Sequence, residues 1–229
     1  MLRYLKEQVC QANRDLERHG LVTLTFGNVS GFDRAKGIMA IKPSGVGRRD
    51  LRPRDMVLVD LKGEIVEGRL RPSTDTPTHL ALYRAFKGIG GITHTHSTYA
   101  TMFAQACRGI PCLGTTHADH FNGEAPVTRR LRAEEVKKLY EENTGNVIVE
   151  RFEKLNPMEM PAVLVANHGP FTWGKDPEEG LMNSVALELV AQMALGALQL
   201  NDAIGPIPDF LLAKHFRRKH GPDAYYGQK

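Results

Sequence analysis

Cysteine is scarce in this chain: Cys10, Cys107 and Cys112 are the only three in 229 residues, and none belongs to a C-x-x-C pair. So sparse and odd a count excludes a disulfide framework and fits a reducing cytoplasm, with all three thiols read as small core groups. No apolar run approaches the roughly 20 residues that a membrane crossing requires, so no membrane partner is expected. Residues 1–20 carry charges throughout and lack a small-residue cleavage site, which reads as folded chain rather than a leader. Neither a Walker motif nor a G-x-G-x-x-G fingerprint is present, which removes the common nucleotide cradles. Charge of one sign is not concentrated either. The net charge of +4 is spread over 30 basic and 26 acidic residues, which argues against a nucleic-acid surface. The one tight basic cluster, His215 to His220, reads as a solvated helix end. Repeats, low-complexity stretches and long linkers are also missing.

What is present suits one globular unit spanning 1–229, with 41% apolar residues and enough chain for a sizeable core. Helical and strand patterns alternate with short turns, as in an α/β or α+β domain. Leu2, Leu5, Val9, Ala12 and Leu16 recur at helical spacing, and Gly20 stops the helix. Strand-like runs follow at 21–25, 38–41 and 56–61, and Lys62-Gly63 turns the last into 64–67 as a hairpin. Pro77 opens a helix carrying Leu80, Tyr83 and Phe86. Further expectations are a strand over 91–95, a helix over 98–107, a charged surface helix over 133–142, and valine-rich strands over 146–150 and 161–166. The longest helix is expected from an Asp176 cap, with Pro177 in its first turn and Glu179 at capping-box spacing, to about Leu200. A final helix over 209–219 and a tail over 225–228 complete the pattern.

His94 and His96 stand at i and i+2 in Gly-Ile-Thr-His-Thr-His-Ser. On an extended strand such residues share a face, with bases about 7 Å apart, and two imidazoles can converge on one borderline metal ion. His168 follows the 161–166 strand directly, and Asp75 offers an oxygen ligand just ahead of a helix start. An H-x-H pair also arises by chance, and spacing alone leaves open whether His168 joins it. His19, His79 and His120 read as surface or hydrogen-bonding groups. Three stretches offer anion-binding chemistry: Gly27-Asn28-Val29-Ser30, Lys42-Pro43-Ser44-Gly45-Val46-Gly47 and Pro72-Ser73-Thr74. Glycines free backbone N–H groups, hydroxyls add donors and lysine adds charge, although ordinary turns use the same residues.

Together these segments resemble the class II sugar-phosphate aldolase superfamily, and within it the pentulose-phosphate 4-epimerase branch. The resemblance runs nearly end to end. It is carried by 21–30 (LVTLTFGNVS), 41–46 (IKPSGV), 73–79 (STDTPTH), 90–97 (GGITHTHS), 114–119 (GTTHAD), 144–150 (TGNVIVE), 167–171 (NHGPF) and 224–228 (AYYGQ). It implies a three-layer α/β/α sandwich around a mixed, largely antiparallel sheet. It implies one Zn²⁺ per subunit, with Mn²⁺ or Co²⁺ as alternatives, held by His94, His96 and His168 with Asp75 beside them. Gly27, Asn28, Lys42, Ser44, Gly45, Ser73 and Thr74 fall in the family's substrate- and phosphate-binding segments, and His215 matches a histidine near the phosphate. Asp119 and Tyr226 match an acid/base pair. The family forms four-fold tetramers with active sites between subunits, the C-terminal tyrosine coming from a neighbour. Two departures stand out: Thr74 where close relatives often have serine, and His120 in place of an aromatic residue.

The implied reaction turns L-ribulose 5-phosphate into D-xylulose 5-phosphate. The C4 hydrogen is not alpha to the C2 carbonyl, so its removal would leave an unstabilised carbanion. Breaking C3–C4 instead leaves charge that spreads onto the C2 oxygen as an enediolate, which a Lewis acid stabilises. Rotation of the aldehyde and re-addition then invert C4, which calls for proton-transfer groups on two faces. The competing expectations are an aldolase that releases its fragments and a non-catalytic metal- or sugar-phosphate-binding module. The resemblance fits arabinose and ascorbate breakdown equally.

Overall fold

The structure, a computed structural model, describes residues 2–221 and 224–227. Its centre is a seven-stranded sheet in the order β4-β3-β2-β1-β5-β7-β6. The strands are β1 (Asn28–Asp33), β2 (Ile38–Ile41), β3 (Val57–Asp60), β4 (Ile65–Glu67), β5 (Gly91–His94), β6 (Ala162–Leu164) and β7 (Pro170–Gly174). Every neighbouring pair is antiparallel, and the one parallel contact among the described residues is an isolated bridge between Val127 and Leu164. The helices are α1 (Leu2–Arg18), α2 (Thr76–Ala85), α3 (Thr98–Gln105), α4 (Thr115–Ala118), α5 (Ala133–Lys137), α6 (Tyr140–Arg151), α7 (Pro177–Leu200) and α8 (Asp209–Lys219).

Strand alternation explains the layering, because successive side chains leave a strand on opposite faces. Met39, Ile41, Val57 and Val59 enter the large core with Leu80 and Tyr83 of α2 and Ile148 of α6. Between them, Ala40 and Leu58 turn the other way and pack with Leu5 and Val9 of α1. Helices therefore cover both faces, which is the expected α/β/α sandwich. α7 lies on β1, β5 and β7. It is long and apolar enough to cross a membrane by length and composition, and its buried residues, Leu181, Leu187 and Val190 among them, pack in the core. Its N-terminus is built as expected, with the Asp176 side chain accepting from the Glu179 amide at 2.9 Å.

Three expectations need correction. Residues 21–25 form no strand: they belong to a loop in which Leu24 takes a left-handed φ of 56°, and the strand starts at Asn28, inside the stretch read as an anion-binding turn. Residues 146–150 are helical within α6, not extended. Thr144, Gly145, Val147 and Ile148 bury one face of α6, so tertiary packing overrides the β-propensity of the valines. The charged helix expected over 133–142 is two helices, broken at Leu139 with φ 55°. β7 went unread because Pro170 and Gly174 bound it, yet it pairs with both β5 and β6.

The start of α7 sits directly over β5. A Cβ on Gly91 would lie 2.2 Å from the Asp176 carbonyl oxygen and 2.4 Å from the Pro177 nitrogen, both backbone atoms with no freedom to move aside. Gly91→Ala is therefore expected to destabilise the protein by about 3 kcal/mol, at the upper end of overpacking costs. Thermal or urea unfolding measures it, and an unchanged midpoint would show that β5 and α7 are not held at this distance.

Candidate metal centre and cavity

The sheet register sets the site. Asn28 of β1 pairs with His94 of β5, and His94 pairs with Phe171 of β7, so all three project from one row on the α2 face. The His94 ring lies flat against Phe171, with centroids 4.1 Å apart and planes at 15°. His94 Nδ1 lies 2.9 Å from the Pro170 carbonyl, to which it donates, leaving Nε2 as the free lone pair. β5 ends at His94, but the Thr95 amide still donates to Pro170 at 3.3 Å, so the chain stays extended and brings His96 round to the same side. His168 comes from the tight β6–β7 connection, where Asn167 has φ 63° and the Val165 amide donates to Gly169 at 2.9 Å.

The three rings sit 4.8–5.1 Å apart by centroid, each pair inclined by 71–77°. Their ligand atoms all lie within 4.8 Å of one another, the one such cluster among the described residues. His94 Nε2 and His96 Nε2 approach to 3.1 Å. Burial pushes the His168 imidazole down to about 3 and His96 below its ordinary value, so both are neutral with lone pairs free at neutral pH. Nitrogen donors of this kind, converging from a partly buried wall, fit a divalent cation of zinc type.

Asp75 faces the same cavity without joining the converging nitrogens. As the residue preceding α2 it makes no side-chain cap, and its carboxylate accepts from Asn28 Nδ2 at 2.6 Å. Burial pushes this carboxyl up, but His94, His79, the Asn28 bond and His168 together outweigh that and hold it below the usual range. Asn28 Nδ2 also reaches Ser73 Oγ at 3.1 Å, while Asn28 Oδ1 is buried with no partner among the described residues. That acceptor suits a ligand hydroxyl.

The segments carrying Lys42 and Ser73 are stitched together by backbone. The Ser73 amide donates to the Lys42 carbonyl at 3.0 Å and the Ser44 amide to Arg71 at 2.9 Å. One cavity of about 400 Å³ results, lined by Gly27, Asn28, Lys42, Ser44, Gly45, Ser73, Thr74, Asp75 and all three histidines. Lys42 is 2% exposed, and its ammonium donates only to the Pro43 carbonyl, at 3.1 Å. It makes no ion pair among the described residues. Burial, helped by the nearby Arg48 charge, pushes it down to about 8. A buried cation without an acid partner draws an anion.

Asp119, His215 and Tyr226 do not line this cavity within one chain. They gather elsewhere, where α4 meets α8 and the tail. The Asp119 carboxylate accepts from His215 Nδ1 at 3.0 Å and from Arg218 Nε at 2.8 Å, with Arg218 Nη2 also bound, and Tyr226 lies over the Arg218 and Lys219 cations at 5.0 and 4.6 Å. Burial pushes the Asp119 carboxyl up, but Arg218, His215 and Lys219 prevail and leave it below the usual range. The cluster His215 to His220 is thus an anchor for Asp119 and not only a solvated helix end. His79, read as a hydrogen-bonding group, is one: it is fully buried and bonds Ser30 Oγ at 2.7 Å. Gln228 lies outside the described residues.

Among the lining residues that the sequence reading did not single out as site residues, two touch the histidines. Tyr140, at the start of α6, places its hydroxyl 3.4 Å from His168 Nδ1, and Phe26 stacks on His96 at 5.9 Å. Nothing in their spacing marked them, since one lay in an expected surface helix and the other beside an expected strand.

Residues 7–195 match the family described as Class II Aldolase and Adducin N-terminal domain. The chain is 56% identical over 225 residues to "L-ribulose-5-phosphate 4-epimerase UlaF" of Salmonella paratyphi B, covering 98% of this chain and 99% of that protein. The protein of the same name from Salmonella typhi is 55% identical over the same share. Among solved structures, an L-fuculose 1-phosphate aldolase superposes with a TM-score of 0.78 at 26% identity, covering 92% of this chain and 93% of that one. The L-fuculose-1-phosphate aldolase of Thermus thermophilus superposes with a TM-score of 0.67 at 27% identity, covering 87% and 98%.

The convergence of the rings can be tested directly. His96→Ala removes an exposed ligand without touching the core, so the protein should fold normally and lose most of its roughly one equivalent of divalent metal. Elemental analysis checks this, and full retention of metal would show that the histidines do not hold it together.

Proposed function

The chain belongs to the class II aldolase and adducin family, and on that premise we propose that it is an L-ribulose-5-phosphate 4-epimerase, interconverting that ketose with D-xylulose 5-phosphate. The observation that carries the reading is the two-ended cavity. A trio of imidazoles stands at one end and the Lys42 ammonium, without an acid partner among the described residues, stands with Ser44, Gly45, Ser73 and Thr74 at the other. A ligand with vicinal sugar oxygens at one end and a phosphate at the other is complementary to both.

His94, His96 and His168 would hold one Zn²⁺ per subunit, with Mn²⁺ or Co²⁺ as substitutes, and Asp75 would stand beside it as an oxygen ligand or proton carrier. When bound, the cation supplies Lewis-acid stabilisation of the negative charge that develops on the sugar. Asn28 orients Asp75 and offers Oδ1 to a sugar hydroxyl. Lys42 and the serine-glycine loops keep the phosphate-bearing aldehyde from leaving between cleavage of C3–C4 and its reformation, which separates an epimerase from an aldolase of the same fold.

Inversion also needs a proton acceptor on one face and a donor on the other, and Asp119 and Tyr226 fill these roles, exchanging them with the direction of reaction. Because one chain holds them apart from its own cavity, they serve the cavity of a neighbouring subunit in a homotetramer, and His215 comes with them to meet the phosphate. The exposed apolar residues Met182, Leu189 and Met193 of α7 and Phe210 of α8 support such an assembly. The whole chain, 1–229, acts as one unit, and its three free cysteines suit the cytoplasm.

Two measurements test the reading. The purified enzyme, given L-ribulose 5-phosphate, should form D-xylulose 5-phosphate with no net release of a two-carbon aldehyde. Accumulation of the cleavage fragments would make it an aldolase. The second concerns Lys42, whose charge is fully present well below pH 8 and is lost as the pH rises through about 8. kcat/KM should therefore fall on that alkaline limb, and Lys42→Met should raise KM and flatten the limb. An identical limb in the variant would remove Lys42 from the phosphate end.

A further inference from the structure

The loop over residues 21–27 supplies Thr25, Phe26 and Gly27 to the cavity wall but pairs with no strand. Leu21 and Val22 pack against α1 and β1 at its start, but its tip contains two left-handed residues, Leu24 at φ 56° and Gly27 at φ 75°, and Leu24 is 77% exposed, so apolar packing does not hold the chain at residue 24. What fastens the tip is a buried guanidinium from the far side of the anion-binding stretch. Arg48 is 3% exposed. Its Nη1 donates to the Leu24 carbonyl at 2.9 Å, and its Nη2 donates to the Gly27 carbonyl at 2.7 Å and to the Phe26 carbonyl. Three carbonyls of a strained loop are thus fastened by one planar fork of donors, a geometry that an ammonium cannot reproduce.

Arg48 makes no ion pair among the described residues: Glu17, the nearest acid acting on it, is engaged by Arg49 at 3.3 Å. The carbonyl dipoles take up Nη1 and Nη2 without neutralising the guanidinium, and its buried Nε has no partner among the described residues, so its charge adds to that of Lys42 nearby. We infer that Arg48 is a positioning residue: it locks the 24–27 loop against the 42–47 stretch, preforms the wall that receives the anionic end of the substrate, and keeps Phe26 stacked on His96. The proposal rests on the epimerase reading only for the identity of the substrate.

The test uses the full-length, metal-loaded enzyme. Loss of charge-assisted bonds of this kind corresponds to about a tenfold change. Arg48→Met should raise KM for L-ribulose 5-phosphate and the inhibition constant of inorganic phosphate together by about that factor, with kcat and metal content nearly unchanged. Arg48→Lys, which keeps the charge but not the fork, should recover only part of the loss. Amide exchange over 22–28 should accelerate in both variants. A merely structural arginine predicts less active protein with normal KM and normal phosphate inhibition, and that outcome overturns the proposal. Unchanged exchange over 22–28 also overturns it, whatever the substrate. Accelerated exchange in a protein whose wild type does not turn over the ketose would instead sink the substrate reading and leave the clamp standing.

Discussion

Everything at the site depends on the antiparallel pairing of β5 between β1 and β7. Register decides it: Asn28, His94 and Phe171 fall in one row across three strands. A one-residue slip would turn His94 toward α7, where Thr93 and Thr172 now point, and would scatter the imidazoles over two faces. The neighbouring row, Ser30, Ile92 and Trp173, lies on the same side and enters the core through Ile92 and Trp173, while Ser30 bonds His79 and Tyr83. The hydrophobic effect therefore specifies the register, and the convergence of the imidazoles follows from it. The close approach of α7 over Gly90 and Gly91 closes the opposite face and leaves the strand no room to shift.

The second constraint is electrostatic. Lys42 and Arg48 are both nearly excluded from water, and neither meets a carboxylate among the described residues. Buried cations cost stability unless something compensates them, and here backbone carbonyls do so partially. Partial compensation leaves a positive potential where a ligand enters. Such a site binds an anion more strongly than surface lysines would, because the desolvation of the protein's own charges is already complete before the ligand arrives. Burial is the main cause of the depressed Lys42 ammonium, and the Arg48 charge adds to it.

Much of this was legible in the sequence, for identifiable reasons. α1 and α7 read correctly because their apolar periodicity and caps agree with the observed packing, and the β3–β4 hairpin read correctly from Lys62-Gly63 between alternating runs. His94 and His96 were visible as candidate ligands through the i, i+2 spacing, while His168 came only with the family resemblance, because its approach depends on the β6–β7 connection. β1 was not legible, because three of its five buried positions, Asn28, Ser30 and Gly31, are polar or small residues whose partners lie far away in sequence. α6 was misread because it packs closely on α2, with Gly145 against Thr78 and Ala81, a contact that local propensity cannot encode. Loop residues such as Phe26 and Tyr140 acquire meaning only from what they touch.

Site chemistry is also divided unevenly along the chain. The groups proposed to hold and polarise the sugar come from the sheet and its connections, where strand pairing sets their register. The groups proposed to move protons, Asp119 and Tyr226, sit where α4, α8 and the tail meet, gripped by Arg218 and by stacking on cations. A carboxylate so gripped is a weak base by itself. It remains ionised at neutral pH, however, and an ionised, oriented carboxylate is what the acceptance of a hydroxyl proton requires once the substrate's own acidity is raised. Neither residue shares the strands' register: Asp119 follows the last residue of α4, and Tyr226 lies in the tail beyond α8. In the proposed tetramer this second set of groups would come from a neighbouring subunit, so that strand register and subunit assembly would position the two sets independently.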